Sequence, residues 1–141
     1  PYARGTLIGL TRATTKSHII RATLESLAYQ TADVIDLLER STGMKVRRLR
    51  ADGGASANNL LLGFQADILG ADVERPECIE TTALGAAYLA GLSTGVYSSI
   101  DEINRNTVDR RVFKPEHDDI WRKEKLRIWR KAVERSLNWI E

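Results

Sequence analysis

Residues 52–59 read Asp-Gly-Gly-Ala-Ser-Ala-Asn-Asn, set between the alternating segment 46–51 and the apolar run 60–69. A strand, a tight glycine turn and a helix start are expected in that order. Two consecutive glycines at such a junction let the main chain turn sharply and leave no Cβ to hold a flat ligand, such as a nucleotide, away. The same spelling also serves as a plain connector, because Asn58 or Asn59 can cap the following helix by accepting from free amides of its first turn. Both readings of the turn remain open on spacing alone.

The rest of the chain places this turn inside an alternating pattern. Residues 5–11, Gly-Thr-Leu-Ile-Gly-Leu-Thr, are short, β-leaning and bounded by glycine, and predict a first strand. From Ser17 to about Arg40, Ile20, Leu24, Leu27, Ala28, Val34, Ile35 and Leu38 recur near the helical period, with Gly43 as the stop. Residues 46–51 form the next strand, residues 60–69 a helix ending at Gly70, and residues 72–75 a strand halted by Pro76. Thr81 or Thr82 is expected to cap a third helix with its body at 83–92, rich in alanine and glycine. Gly85 and Gly91 each cost that helix about 1 kcal/mol relative to alanine, so close packing on a sheet or a ligand should compensate. Ser99 and Glu102 have capping-box spacing for a short helix ending before Thr107, residues 108–113 suit an extended arm, and a long terminal helix is expected over about 117–140.

Strands alternating with helices imply an α/β sheet with helices packed on it. The length of 141 residues fits one domain, or part of one, and the 43% apolar share suits a globular core. Three strands are few for a parallel core covered on both faces, so further strands are expected before Pro1 in a longer parent. The net charge of +2 supplies no strong field for polyanions, so nucleic acid is not expected as a partner. Cys78 is the single cysteine, which excludes an internal disulfide and a thiolate metal cage and fits a reducing cytoplasm. Uninterrupted apolar stretches fall far short of the roughly 18–20 residues that span a bilayer.

Rival constellations are weak. His18 and His117 lie far apart without metal-site spacing, and neither a Gly-x-Ser-x-Gly turn nor a Gly-x-x-x-x-Gly-Lys phosphate loop is expected. Nucleophilic catalysis and phosphate-loop chemistry are unsupported, and each histidine is most simply structural or at the surface. Trp121, Trp129 and Trp139, beside Arg122, Lys123, Arg130 and Lys131, could mark an interaction module. Trp121, Ile128 and Trp129 share one helical face, however, which favours packing. Arg47, Arg48 and Arg50 suit either an anion site or a solvated strand edge.

Several blocks in one order carry a resemblance that covers essentially the whole chain. They are residues 1–5 (Pro-Tyr-Ala-Arg-Gly), 18–26, the glycine turn, 65–70 (Gln-Ala-Asp-Ile-Leu-Gly), 73–76 (Val-Glu-Arg-Pro) and 82–91. Together they resemble the C-terminal part of glycerol kinases, within the FGGY family of carbohydrate kinases, with pentulose kinases such as xylulose kinase as the nearest rival. The resemblance implies an actin-like ATPase architecture of ribonuclease-H-like domains, of which residues 1–141 form a partial C-terminal domain lacking its first strands. It implies ATP as the phosphoryl donor, with Mg2+ held mainly by residues outside this segment, and glycerol as the acceptor. Gly54, with Gly53 beside it, and Asn58 map onto the family positions that approach the adenosine portion of ATP or ADP. The family's catalytic aspartate, glycerol-binding residues and phosphate loops all precede the matched segment, so the segment alone is expected to be inactive. An exposed strand edge and the family context lead to the expectation of a cytoplasmic homo-oligomer.

Overall fold

The computed structural model describes residues 4–106 and 110–138. Helix α1, Lys16–Thr42, opens on Thr15, whose hydroxyl accepts from the His18 amide while His18 Nδ1 accepts from the Thr15 amide. His18 therefore closes a reciprocal cap, a structural role. Gly43 ends the helix in the left-handed conformation (φ 70°), its N–H bonded to Glu39 O. The next elements are strand β1, Arg48–Arg50, a 3-10 turn, Gly54–Ala57, helix α2, Asn59–Leu69, and strand β2, Asp72–Pro76. Helix α3, Thr81–Ser93, helix α4, Ile100–Asn106, strand β3, Arg110–Phe113, and helix α5, Asp119–Glu134, complete the order.

The sheet runs β1-β2-β3. β1 and β2 are parallel, with Leu49 opposite Val73, and β3 is antiparallel to β2, with Phe113 opposite Val73. The extended arm is thus the third strand, and the sheet is mixed. Its other expected member is absent: residues 5–11 form no strand, and Leu7, Ile8 and Leu10 are 60%, 47% and 58% exposed. An extended segment becomes a strand only when a neighbour takes up its amides and carbonyls, and no described segment pairs with this one.

α2 is the centre of the fold and buries residues on all sides. Leu61, Phe64 and Ile68 meet Ala28 and Ala32 of α1, with Tyr29, Trp121 and Leu126 at the margin, while Leu62 and Ala66 meet Val73, Leu49 and Phe113 of the sheet. The face α1 buries matches the expected stripe only in part: Ala28 is buried and Leu24 and Ile35 are half-buried. Contact is made through Ala28 and Ala32, small enough for close helix approach, while Ile20, Leu27, Val34 and Leu38, offset by about 100°, stay exposed.

α5 opens on Asp118, whose carboxylate accepts from the Trp121 amide, and ends at Glu134, well inside the 117–140 span. Tyr29 stacks on Trp129 (5.0 Å, 8°) and meets Phe64 edge-on, and Phe64 meets Trp121 edge-on. The packing role expected for these tryptophans holds, whereas Ile128 of the same expected face is 52% exposed; Trp139 lies outside the described residues. His117 packs flat on Trp121, and its Nδ1 lies 3.1 Å from Asp67, whose carboxylate also accepts from the Glu116 and His117 amides. Asp67 thereby ties the entry of α5 to α2.

The sheet face away from α2 carries Glu74, only 5% exposed, with Arg48 at 3.1 Å, Arg110 at 3.3 Å and Arg50 at 3.7 Å. Arg48 and Arg50 are thus counter-ions of a buried carboxylate from the neighbouring strand, which explains their place in β1 without a ligand.

Candidate binding site at the glycine turn

The last rung of the parallel ladder is the Ala51 amide on Glu74 O, and the chain then leaves the sheet. Gly53 has φ 76°, a conformation that side chains disfavour, and its N–H is held by Ile79 O at 2.8 Å. Ser56, 3% exposed, turns back with both its amide and its hydroxyl on Gly53 O. Asn58 caps α2, its Oδ1 accepting from the Leu60 and Leu61 amides at 3.0 and 3.2 Å. Two amide donors on one atom fix that atom as the oxygen, so the side-chain amide nitrogen is the end of Asn58 turned away from the cap.

The two glycines differ in what they require. Gly53 needs its freedom for the backbone alone. Gly54 is exposed and not in the left-handed region, and a Cβ built on it would meet nothing within 4 Å. No contact inside the described chain demands a glycine there.

Three elements brace the turn. From α2 comes the Asn58 cap. From the start of α3, the Thr81 hydroxyl donates to the Asp52 carboxylate. Thr81 thus lies inside the first turn of α3 rather than capping it: the cap position is Glu80, without a side-chain bond, because the Thr81 hydroxyl has found a charged acceptor. From β2, Arg75 Nη1 donates to Ser56 O (2.9 Å), Ala57 O (3.1 Å) and Asn59 Oδ1 (3.0 Å). Neither Thr81 nor Arg75 was marked by the sequence as part of the turn; Arg75 entered only through the 73–76 block of the resemblance.

The glycines of α3 also divide. A Cβ on Gly91 would lie 2.6 Å from the Tyr97 ring, so this glycine is explained by packing, against a tyrosine rather than a sheet. Gly85 meets nothing within 4 Å. Contrary to expectation the Gly-x-Ser-x-Gly spelling does occur, as Gly-Leu-Ser-Thr-Gly at 91–95, but Ser93 ends a helix instead of sitting in a strand-to-helix elbow, so it has no nucleophile geometry. The α4 cap is as expected in its first half, Ser99 Oγ accepting from the Glu102 amide, while the Glu102 carboxylate accepts from the Ser98 amide and hydroxyl, one residue earlier than the capping box requires.

Two open hollows exist elsewhere, one of about 410 Å³ between Glu39, Arg47, Asp72 and Arg122, and one of about 510 Å³ beside Arg75, Arg110 and Arg111. Neither is lined by Gly53, Gly54 or Asn58. Among the described residues no three His, Cys, Asp or Glu side chains converge as a metal cage. No helix is long and apolar enough to cross a membrane.

A glycine pair at the end of a strand, followed by a capped helix packed between another helix and a mixed sheet, defines an α/β domain. The family model for the FGGY family of carbohydrate kinases, C-terminal domain, matches residues 1–94, and the chain belongs to that family. Over 139 residues it is 58% identical to glycerol kinase 2 of Pseudomonas aeruginosa, and over 141 residues 56% identical to the glycerol kinase of Caldanaerobacter subterraneus. Each match takes in 99% of this chain and 28% of the relative. Among solved structures, the glycerol kinase of Plasmodium falciparum with ADP superposes with a TM-score of 0.85 at 38% identity, over 99% of this chain and 28% of that one. The xylulose kinase of Lactobacillus acidophilus, at 24% identity and a TM-score of 0.74 over 96% of this chain and 28% of that one, shares the fold. The architecture is that of the actin-like ATPase class expected from the sequence. The chain spans about 28% of the length of these relatives.

Proposed function

We propose that this chain is the nucleotide-binding C-terminal part of an ATP-dependent glycerol kinase, which converts ATP and glycerol to ADP and sn-glycerol 3-phosphate. The observation that carries the nucleotide role is Gly54, a glycine that its own chain does not need, standing where a Cβ would point into open space. In this reading Gly53 turns the chain, Gly54 lets the adenosine portion of the nucleotide reach the main chain, and the amide nitrogen of Asn58 faces the same wall. The solved relative with ADP supports a nucleotide as the ligand, and identities above 50% to glycerol kinases support glycerol over a pentulose.

Phosphoryl transfer rests on positioning and on charge stabilisation around the transferred group. This chain contributes the positioning of the nucleotide. Mg2+, the catalytic base and the glycerol contacts belong, in this reading, to residues outside these 141, and the polypeptide by itself is inactive. A homo-oligomer and a cytoplasmic setting complete the proposal; exposed apolar side chains such as Ile20, Val34 and Leu89 are consistent with further packing partners, and the lone, exposed Cys78 with a reducing compartment.

Release of ADP by the protein that carries this chain, measured with glycerol, xylulose and gluconate in turn, tests the assignment. Glycerol should be used far faster than either sugar acceptor. Preference for xylulose, or phosphorylation of glycerol by the 141 residues alone, would overturn it.

A further inference from the structure

We infer that Arg75 is a positioning residue for nucleotide binding, acting through the carbonyls of the glycine turn; this rests on the proposed role of Gly54. Arg75 leaves β2 on the face that packs on α2, and its guanidinium lies 5.5 Å from the centre of the Phe113 ring. Phe113 is itself packed on Leu62, Ala66 and Val73. The cation is therefore seated on the core, where its position is fixed by packing and by attraction to the ring face. From that seat a single nitrogen, Nη1, reaches Ser56 O, Ala57 O and Asn59 Oδ1.

These acceptors lie within the four residues that follow Gly54 and Ala55, spanning the end of the 3-10 turn and the first residue of α2. Carbonyls there have no helical donor of their own, and a charged donor satisfies them more strongly than a neutral one. Holding both ends of that short segment fixes the direction in which Gly54 and Asn58 present themselves. Arg75 also sits half-buried, so its bonds are less screened than those of a surface arginine. No contact between Arg75 and the nucleotide is needed. Without it the wall would still exist, but in several arrangements, and ATP would have to select one of them.

The test uses the complete enzyme that carries this chain, with steady-state kinetics for ATP and for glycerol. Arg75→Ala should raise the KM for ATP about tenfold, the loss expected when charged hydrogen bonds of this kind are removed, with kcat and the KM for glycerol changed less than about twofold. Asn59→Ala should give a smaller rise, and the Asn59→Ala, Arg75→Ala double variant should be no worse than Arg75→Ala alone, as expected for groups in one network. Gly54→Val is the control for the underlying reading. If Gly54→Val raises the KM for ATP and Arg75→Ala does not, the role of Arg75 is overturned and that of the glycine stands. If Gly54→Val leaves the KM for ATP unchanged, the nucleotide wall itself is overturned. Equal losses for ATP and glycerol, or additive effects at residues 59 and 75, would reduce Arg75 to general stability. Should Arg75→Ala not fold, Arg75→Gln and Asn59→Ala carry the same comparison.

Discussion

α2 and α3 are both short and mostly apolar, yet only one of them is inside the protein. α2 has a side-chain cap at its start, a left-handed glycine at its end, and seven buried residues, including the polar Gln65 and Asp67. α3 has no side-chain cap, buries only Gly91, and leaves Leu89 71% exposed. Apolar sequence supplies the capacity to be buried; only a partner surface on each side realises it. α2 has α1 on one side and the sheet on the other. α3 has Tyr97 and little else among the described residues. The glycine turn stands between these two helices, held by Asn58 and Arg75 on the α2 and β2 side and by Ile79 and Thr81 on the α3 side.

The largest effect that separates the two helices should come from truncating their large side chains in the 141-residue chain. Phe64→Ala should cost about 3–5 kcal/mol of unfolding free energy, the range for a buried aromatic, whereas Leu89→Ala should stay within about 0.5 kcal/mol, the range for exposed positions. Denaturant titration reads both. A large loss at Leu89 would mean that α3 is packed after all.

Within α3 the two glycines should move stability in opposite directions. Gly85→Ala should gain up to about 1 kcal/mol, because the helix prefers alanine and the new methyl meets nothing. Gly91→Ala should lose about 1 kcal/mol or more, since its methyl would force the Tyr97 ring off its edge-on contact with Tyr88. Thermal unfolding of both variants checks the sign, and a shared sign would break the distinction.

A smaller effect comes from Tyr29, on the aromatic side of α2. Burial, and then the nearby Glu25 carboxylate, push its phenol from 10.0 up to about 12. A hydroxyl whose folded value is raised ionises more easily when unfolded, so its contribution is complete below pH 10 and is lost as pH rises towards 12. Relative to Tyr29→Phe, the natural chain should therefore lose stability over that interval. Parallel curves for the two would show the ring to be open to solvent.

The sequence made α2 and its flanks legible because each boundary is a local event: Asn58 caps, Gly70 takes φ 63°, and β2 follows at once. Gly53, Gly54 and Asn58 were visible for the same reason. What stayed hidden depends on chain segments far apart. Arg75 reaches the turn from 16 to 19 residues away, Thr81 lies 29 residues from Asp52, and the stripe α1 buries was set by the close fit of Ala28 and Ala32, not by its largest side chains. Residues 5–11 have strand-like composition but no described partner strand, and composition cannot supply one.

Amide hydrogen exchange of the enzyme that carries this chain, with and without ADP, tests the nucleotide wall most directly. Protection on adding ADP should concentrate over residues 52–58, with α5 unchanged. Unchanged exchange at 52–58 alongside new protection elsewhere in the chain, such as 119–134, would contradict the account.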